Sequence, residues 1–220
     1  EQWLYDTWGK ISKMDYGVIV IILIVIGTIG FLECIAVGLL MSIALFVINY
    51  SKVEVIKHEL SGQTLHSNVE RSEKLNSVVE QRGNQIFILP LQGFIFFGTA
   101  HRLLERVTDR LALDTEEKLT YLIFDFRQVT GLDSSTINSF NKLHIMAENK
   151  EFKVLFCDIN KFMARQLAVE GLLPDHSGLF IEFSDLDHGL EWCEEQIIDQ
   201  EEATTVESIK ASESFKTRFV

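Results

Sequence analysis

The sequence predicts an α/β fold: a mostly parallel sheet flanked by helices, preceded by a short two-helix transmembrane hairpin. Two observations carry that expectation. From 16 to 50 the chain is apolar except for one acid, Glu33. From 85 to 200, short apolar runs rich in β-formers alternate with stretches whose apolar residues recur at helical spacing. Strands separated by helices of that length imply crossover connections, and hence parallel pairing.

The elements follow in order. Leu4, Trp8 and Ile11 fall at i, i+4, i+7 beside Trp3, Tyr5 and Lys10, so 1–15 is read as an interfacial helix resting on membrane lipid. Residues 17–32 supply 16 uncharged positions and 34–51 another 18. One helix through all of them would measure about 52 Å against a hydrocarbon core of about 30 Å. The 16–50 segment is therefore read as two short spans with a break near Gly27, Gly30 and Glu33, packed within a larger bundle. Lys10 and Lys13 flank one end and Lys52 and Lys57 the other, which places both ends on the cytoplasmic side. Glu33 is read as a hydrated acid at the hairpin tip. The competing reading is an intramembrane carboxylate on an ion or proton path.

Residues 51–84 are polar and irregular, a connector with room for one early strand. Strands are expected at 85–91, with Pro90 marking an edge or a bulge, and at 119–126, 153–157 and 179–183. Between them, Thr99 is read as the N-cap of a helix carrying Leu103, Leu104, Val107 and Leu111 on one face. Ile137, Phe140 and Leu143 mark a second helix. Asn160 caps a third, which stops at Gly171 and Pro174. Leu186, Leu190, Cys193 and Ile197 mark a last helix, capped by Ser184 or Asp185. The stretch 201–220 is acidic and polar, read as a tail or linker without secondary structure.

Charge and composition exclude several classes. The net charge is −12, and residues 1–58 are close to neutral, so nearly all of it belongs to the soluble part. An acidic domain with no basic stripe repels phosphate backbones, so no nucleic-acid partner is expected. Cys34, Cys157 and Cys193 are scattered, which suits packed thiols in a reducing compartment. No phosphate loop, dinucleotide fingerprint, nucleophile elbow or zinc-protease motif occurs. His58, His66, His101, His144, His176 and His188 lack ligand-pair spacing. No catalytic residue, metal site or cofactor is expected, and Asp125 is read as an ordinary strand-end acid.

The informative tetrapeptide is Asp133, Ser134, Ser135 and Thr136, where a buried strand turns into a helix. Backbone N–H groups at a helix start lack partners and favour negative charge, so a phosphate could be accommodated there. A serine at that point is equally an N-cap, worth about 1 kcal/mol, and on the tetrapeptide alone capping is the simpler reading.

The stretch LIFDFRQVTGLDSST resembles the signature of the STAS domain, a module shared by sulfate transporters and anti-sigma-factor antagonists. In the antagonist branch the serine after the aspartate is the phosphoacceptor, which the resemblance carries onto Ser134, with Asp133 and Ser135 beside it. Thr136 departs from the glycine common in antagonists. The segments GFLECIAVGLLMSIALFVINYSKVEVIKHELSG, QIFILPLQGFIFFGTAHRLLERV and FSDLDHGLEWCE resemble bacterial members of the SulP (sulfate permease) family.

The resemblance implies the C-terminal part of a secondary carrier for a sulfate-like anion, built from inverted repeats and working as a homodimer. Its substrate site, formed by half-helices near the midplane, would lie on the missing N-terminal transmembrane helices, so this chain has no substrate-binding residue. The STAS domain would act in regulation and assembly, in contact with a regulatory protein. The carrier would sit as a multi-pass protein in the inner or plasma membrane, with the STAS domain cytoplasmic. The alternative is a membrane-tethered STAS signalling adaptor of the anti-sigma-factor-antagonist type. Some bacterial relatives continue into a cyclic-nucleotide-binding module, for which 201–220 would serve as linker.

Overall fold

The chain divides into two units, 1–53 and 54–220. A computed structural model describes residues 13–28, 31–50, 55–113, 118–173 and 176–217. In the first unit the apolar run forms α1 (Lys13–Thr28) and α2 (Phe31–Tyr50), of 16 and 20 residues. Residues 29 and 30, where the break expected near Gly27, Gly30 and Glu33 falls, lie outside the described residues. The two helices pack on each other. At Gly38 a Cβ would meet Ile22 Cδ1 at 3.6 Å, an ordinary contact distance. Among the described residues, no helix is long and apolar enough to cross a membrane. The interfacial helix expected over 1–15 lies outside the described residues, apart from the three that begin α1.

In the second unit the sheet begins with the early strand allowed for in 51–84. Residues 51–84 contain β1 (Leu60–Ser61) and α3 (Glu73–Arg82), followed by a turn of 3-10 helix at Gly83–Gln85. β1 runs antiparallel to β2 (Ile86–Ile95), and upstream Val55 and Lys57 hydrogen-bond to Gln92 and Pro90. The connector is therefore part of the domain. Its pairing partner is remote in sequence, which no local pattern reveals. α4 (Phe97–Ala112), β3 (Tyr121–Leu132), α5 (Ser134–Lys150), β4 (Lys153–Cys157), α6 (Lys161–Val169), β5 (Phe180–Phe183) and α7 (Leu186–Thr217) complete the order.

The five strands lie in sequence order, with β2 to β5 all parallel. A sheet wound steadily in one direction by right-handed crossovers collects its crossover helices on one face. α4, α5 and α6 pack there. Side chains alternate across a strand, so Leu122, Phe124 and Phe126 of β3 join Val154 and Phe156 of β4 against Leu103, Val107, Phe140, Leu143, Met163 and Leu167. The Phe124, Phe126, Phe140 and Phe156 rings stack and tilt with centroids 5.6–6.5 Å apart. The opposite face takes Ile86, Ile88, Tyr121, Ile123, Leu155 and Cys157 against Leu190, Cys193 and Ile197 of α7. Both faces are covered, so the first six residues of β3 are all buried, as parallel sheets require.

Pro90 does sit at an irregularity: the register slips between Pro90 and Gln92 and again between Gly93 and Phe94. Gly93, at φ 75°, takes the left-handed backbone this bend needs. Thr99 is not the cap of α4. The cap position is Phe96, whose N–H donates to Thr99 Oγ1 at 2.9 Å while that hydroxyl donates to Phe96 O at 3.0 Å. Asn160 caps α6 as expected, its Oδ1 accepting from the Phe162 and Met163 N–H groups.

The stretch from 201 is helical through Thr217, as a continuation of α7. The expectation of an unstructured tail overlooked its Glu and Ala content and the lack of Pro or Gly beyond Gly189, which lets an established helix propagate. The Gln200 amide donates to Tyr121 Oη at 3.3 Å and Arg82 pairs with Glu201, tying this stretch to the domain. Cys157 and Cys193 are free, buried thiols, and burial first, then neighbouring acidic groups, raises the pKa of both.

Candidate functional site

β3 delivers the tetrapeptide to the C-terminal end of the parallel sheet. The backbone stays extended through Asp133 (φ −85°, ψ 151°), because its N–H still bonds Ile95 O at 2.9 Å as a last rung beside β2. Asp133 is therefore the N-cap residue and Ser134 the first residue of α5. The expectation that Ser134 itself caps the helix is corrected: the strand-like rung moves the boundary one residue back. Thr136 N–H bonds Asp133 O at 2.9 Å, and the Thr136 hydroxyl, wholly buried, donates to Ile95 O at 2.9 Å. Thr136 thus locks the start of α5 to the end of β2, a role the glycine of the antagonist pattern could not fill.

The two serines turn towards the aspartate. Ser135 Oγ donates to Asp133 Oδ2 at 2.8 Å and Ser134 Oγ to Oδ1 at 3.2 Å. These hydroxyl bonds, Ser135's first, hold the Asp133 carboxyl below the usual range against the opposing effect of desolvation. Ser134 is exposed, Ser135 half-buried and Thr136 buried. Phe94 and Phe97, at the adjoining junction of β2 and α4, are exposed, and the Phe94 ring lies where a Cβ on Gly131 would stand, 2.9 Å away. The arrangement presents an exposed serine hydroxyl bonded to an aspartate at a helix start, with exposed aromatic rings at the adjoining strand-to-helix junction.

The other sequence candidates lie elsewhere. Glu33 is exposed in the first turn of α2, where the helix dipole favours an acid. Asp125 is buried at the last rung shared by β3 and β4, taking the Arg127 N–H at 2.9 Å and its guanidinium at 3.3 Å. Near it, burial and then Asp125 raise the pKa of Asp158. Asp185 caps α7 through the His188 N–H at 3.0 Å, with His188 Nδ1 2.7 Å from its Oδ2. The bond from the His188 backbone, then the one with its ring, brings Asp185 down to about 2, while the ring's hydrogen bond to the Asp185 carboxylate, then that group's charge, raises His188. Among the described residues no cluster of His, Cys, Asp and Glu could hold a metal ion.

One polar cluster escaped the sequence reading altogether. Glu194 of α7 is fully buried and bound by Arg71 and Ser67 from the segment ahead of α3. The only sequence signal was an acid, Glu194, next to the apolar stripe position Cys193.

Comparison with known proteins bears on this architecture. The model of the STAS domain family matches residues 76–181. The vacuolar basic amino acid transporter VSB1 of Saccharomyces cerevisiae is 31% identical over 206 residues, covering 90% of this chain and 19% of that protein. The structure of the murine solute carrier 26 family member A9 anion transporter, inward-facing, superposes with a TM-score of 0.56 at 18% identity, covering 87% of this chain and 30% of that one. A second structure, of SLC26A9, gives 0.54 at 17% identity, covering 90% and 33%. The chain thus spans from about a fifth to a third of the length of these relatives. At such identities the two structures establish shared fold.

Proposed function

We propose that the chain, whose residues 76–181 match the STAS domain family, is the C-terminal part of a SulP-type secondary transporter, its STAS domain serving regulation and assembly. The observation that carries this reading is the joint alignment of apolar hairpin and STAS domain, over 90% of the chain, with one membrane transporter. The relatives described above are named as transporters. In this reading α1 and α2 are the last pair of membrane helices. Leu23, Leu32, Leu39, Leu40 and Phe46 stand exposed on them, and lipid or the carrier's other helices would cover these side chains. Two short helices cannot enclose a midplane site, so the carrier's remaining helices are the first partner and a second copy of the carrier the next. The flanking lysines orient the hairpin with the STAS domain in the cytoplasm.

The transported solute follows from the family as a sulfate-like anion, while VSB1 is named for basic amino acids. Uptake by the full-length carrier in proteoliposomes tests this. Saturable sulfate uptake supports the anion reading, arginine uptake in its place reassigns the substrate, and saturable uptake by the 220-residue chain alone refutes the reading of a partial carrier.

The exposed Ser134 beside Phe94 and Phe97 favours a second role, docking of a regulatory protein under control of phosphorylation. A phosphate adds about −1.5 to −2 charges. It would remove the proton Ser134 donates to Asp133 and repel that carboxylate. Phosphate on Ser134 in cell-derived protein, with altered transport in Ser134→Asp, supports the switch. An inert Ser134→Asp with no phosphate found removes it.

A further inference from the structure

α5 and α6 cover neighbouring strands of the sheet from one side, and each leaves an outer ridge uncovered. Met163 and Leu167 turn α6 towards the sheet. What stays outside is Lys161, Phe162, Arg165, Ala168 and Val169, with Phe162 70% and Val169 79% exposed. Phe162, Arg165 and Val169 stand at i, i+3, i+7, so they form one stripe. The nine residues of α6 hold two cations and no acid. On α5, burial of Phe140, Leu143 and Ala147 leaves Asn138, Lys142, Ile145 and Asn149 on the outer ridge. That ridge is also basic and apolar, and Ile145 is 57% exposed. Carboxylates stand at its border: Asp158 before α6, Glu148 near the end of α5 and Glu170 after α6.

The chain as a whole carries −12, so a surface built on Lys142, Lys161 and Arg165 runs against its composition and complements an anionic counterpart. Phe162, Val169 and Ile145 between these cations gain by leaving water. A second copy docked through the same face by a two-fold axis would set cation against cation. Cations interleaved with exposed apolar side chains match a lipid headgroup layer, which offers phosphate and carboxylate outside and acyl chains beneath. We propose that the α5–α6 face docks on an anionic lipid bilayer, with Phe162, Val169 and Ile145 entering the boundary between headgroups and acyl chains and Lys142, Lys161 and Arg165 pairing with the headgroups. The proposal rests on the reading of α1 and α2 as membrane helices. An anchor in the same chain makes the encounter intramolecular, so a modest patch is enough.

The full 220-residue chain, reconstituted into lipid nanodiscs, tests it. One set of discs holds phosphatidylcholine alone and the other adds phosphatidylserine, and lysine acetylation read by mass spectrometry reports which amines are covered. Lys142 and Lys161 should react about fivefold more slowly in the anionic discs. Lys74, exposed on α3, should react at one rate in both. High salt should erase the difference. The exposed double change Lys161→Gln with Arg165→Gln should return Lys142 to its rate in neutral discs, with the far-UV circular dichroism unchanged. Equal rates in the two kinds of disc overturn the proposal: equally fast means an uncovered face, and equally slow assigns the face to a protein partner or a second copy. Protection of Lys142 that survives in the folded double variant overturns it as well. A chain that fails to enter the discs removes the membrane reading and this proposal with it, whereas one that enters and labels alike in both fails only here.

Discussion

Replacing Arg71 by methionine keeps the aliphatic stem and removes the guanidinium paired with the buried Glu194 carboxylate. Removing one partner of a buried pair costs about 3–5 kcal/mol, because the survivor is left charged and desolvated. Glu194 keeps two bonds from Ser67, its N–H and its hydroxyl, and the vacated space joins a pocket that water can enter. Both place the loss at the low end, about 3 kcal/mol. For a domain of this size each kcal/mol moves Tm by about 2–4 °C, so Arg71→Met should fall by about 6–12 °C. The assay is urea or thermal unfolding followed by circular dichroism, with Glu194→Gln and the double variant completing a cycle. Neutralising Glu194 in the Arg71→Met background should recover more than half of the loss. If Arg71→Met unfolds within about 0.5 kcal/mol of the parent chain, as an unremarkable surface change would, the pair is not holding α7 to the segment before α3, and the reasoning fails.

Thr136→Val keeps the shape of a buried residue and removes its bond to Ile95 O, which retains the Asp133 N–H; equilibrium unfolding should show a loss of about 1 kcal/mol. Gly189→Ala would bring a Cβ to 2.6 Å from Cys157 Sγ. It should destabilise by about 1–3 kcal/mol, and adding Cys157→Ala should recover part of the loss in the same assay. His188 is raised and Asp185 lowered to about 2 by their shared contact. The histidine's contribution is complete below its unfolded pKa near 6.5 and fades as pH rises through its higher folded value. The aspartate's is complete above about 3.9 and fades as pH falls towards 2. His188→Ala should therefore lower Tm most between about pH 4 and 6.5, with the gap narrowing above that. An equal gap at pH 5 and pH 9 refutes the linkage.

The strands at 153–157 and 179–183 and the helical stripes at Leu103, Val107, Phe140, Leu143, Leu190, Cys193 and Ile197 were legible because burial on a packed face imposes a period on the chain. That period survives without knowledge of the partner. The tail was misread because its composition suits both a solvated coil and a helix. The choice was made by α7, already nucleated and docked on the sheet, which the tail merely extends.

What the sequence determined alone was the parallel strands β2 to β5, the helices between them and the start of α7, and the position of Asp133, Ser134 and Ser135 at a strand-to-helix turn. These depend on contacts between near neighbours and on hydrophobic period. Only the tertiary structure decided that the connector joins the sheet, that Thr136 ties α5 to the carbonyl of Ile95, and that Asp133 rather than Ser134 is the cap. It alone brought Arg71 to Glu194, 123 positions apart. Such pairings arise from where crossovers place distant segments, and a polar residue carries no periodic trace of the partner it will meet.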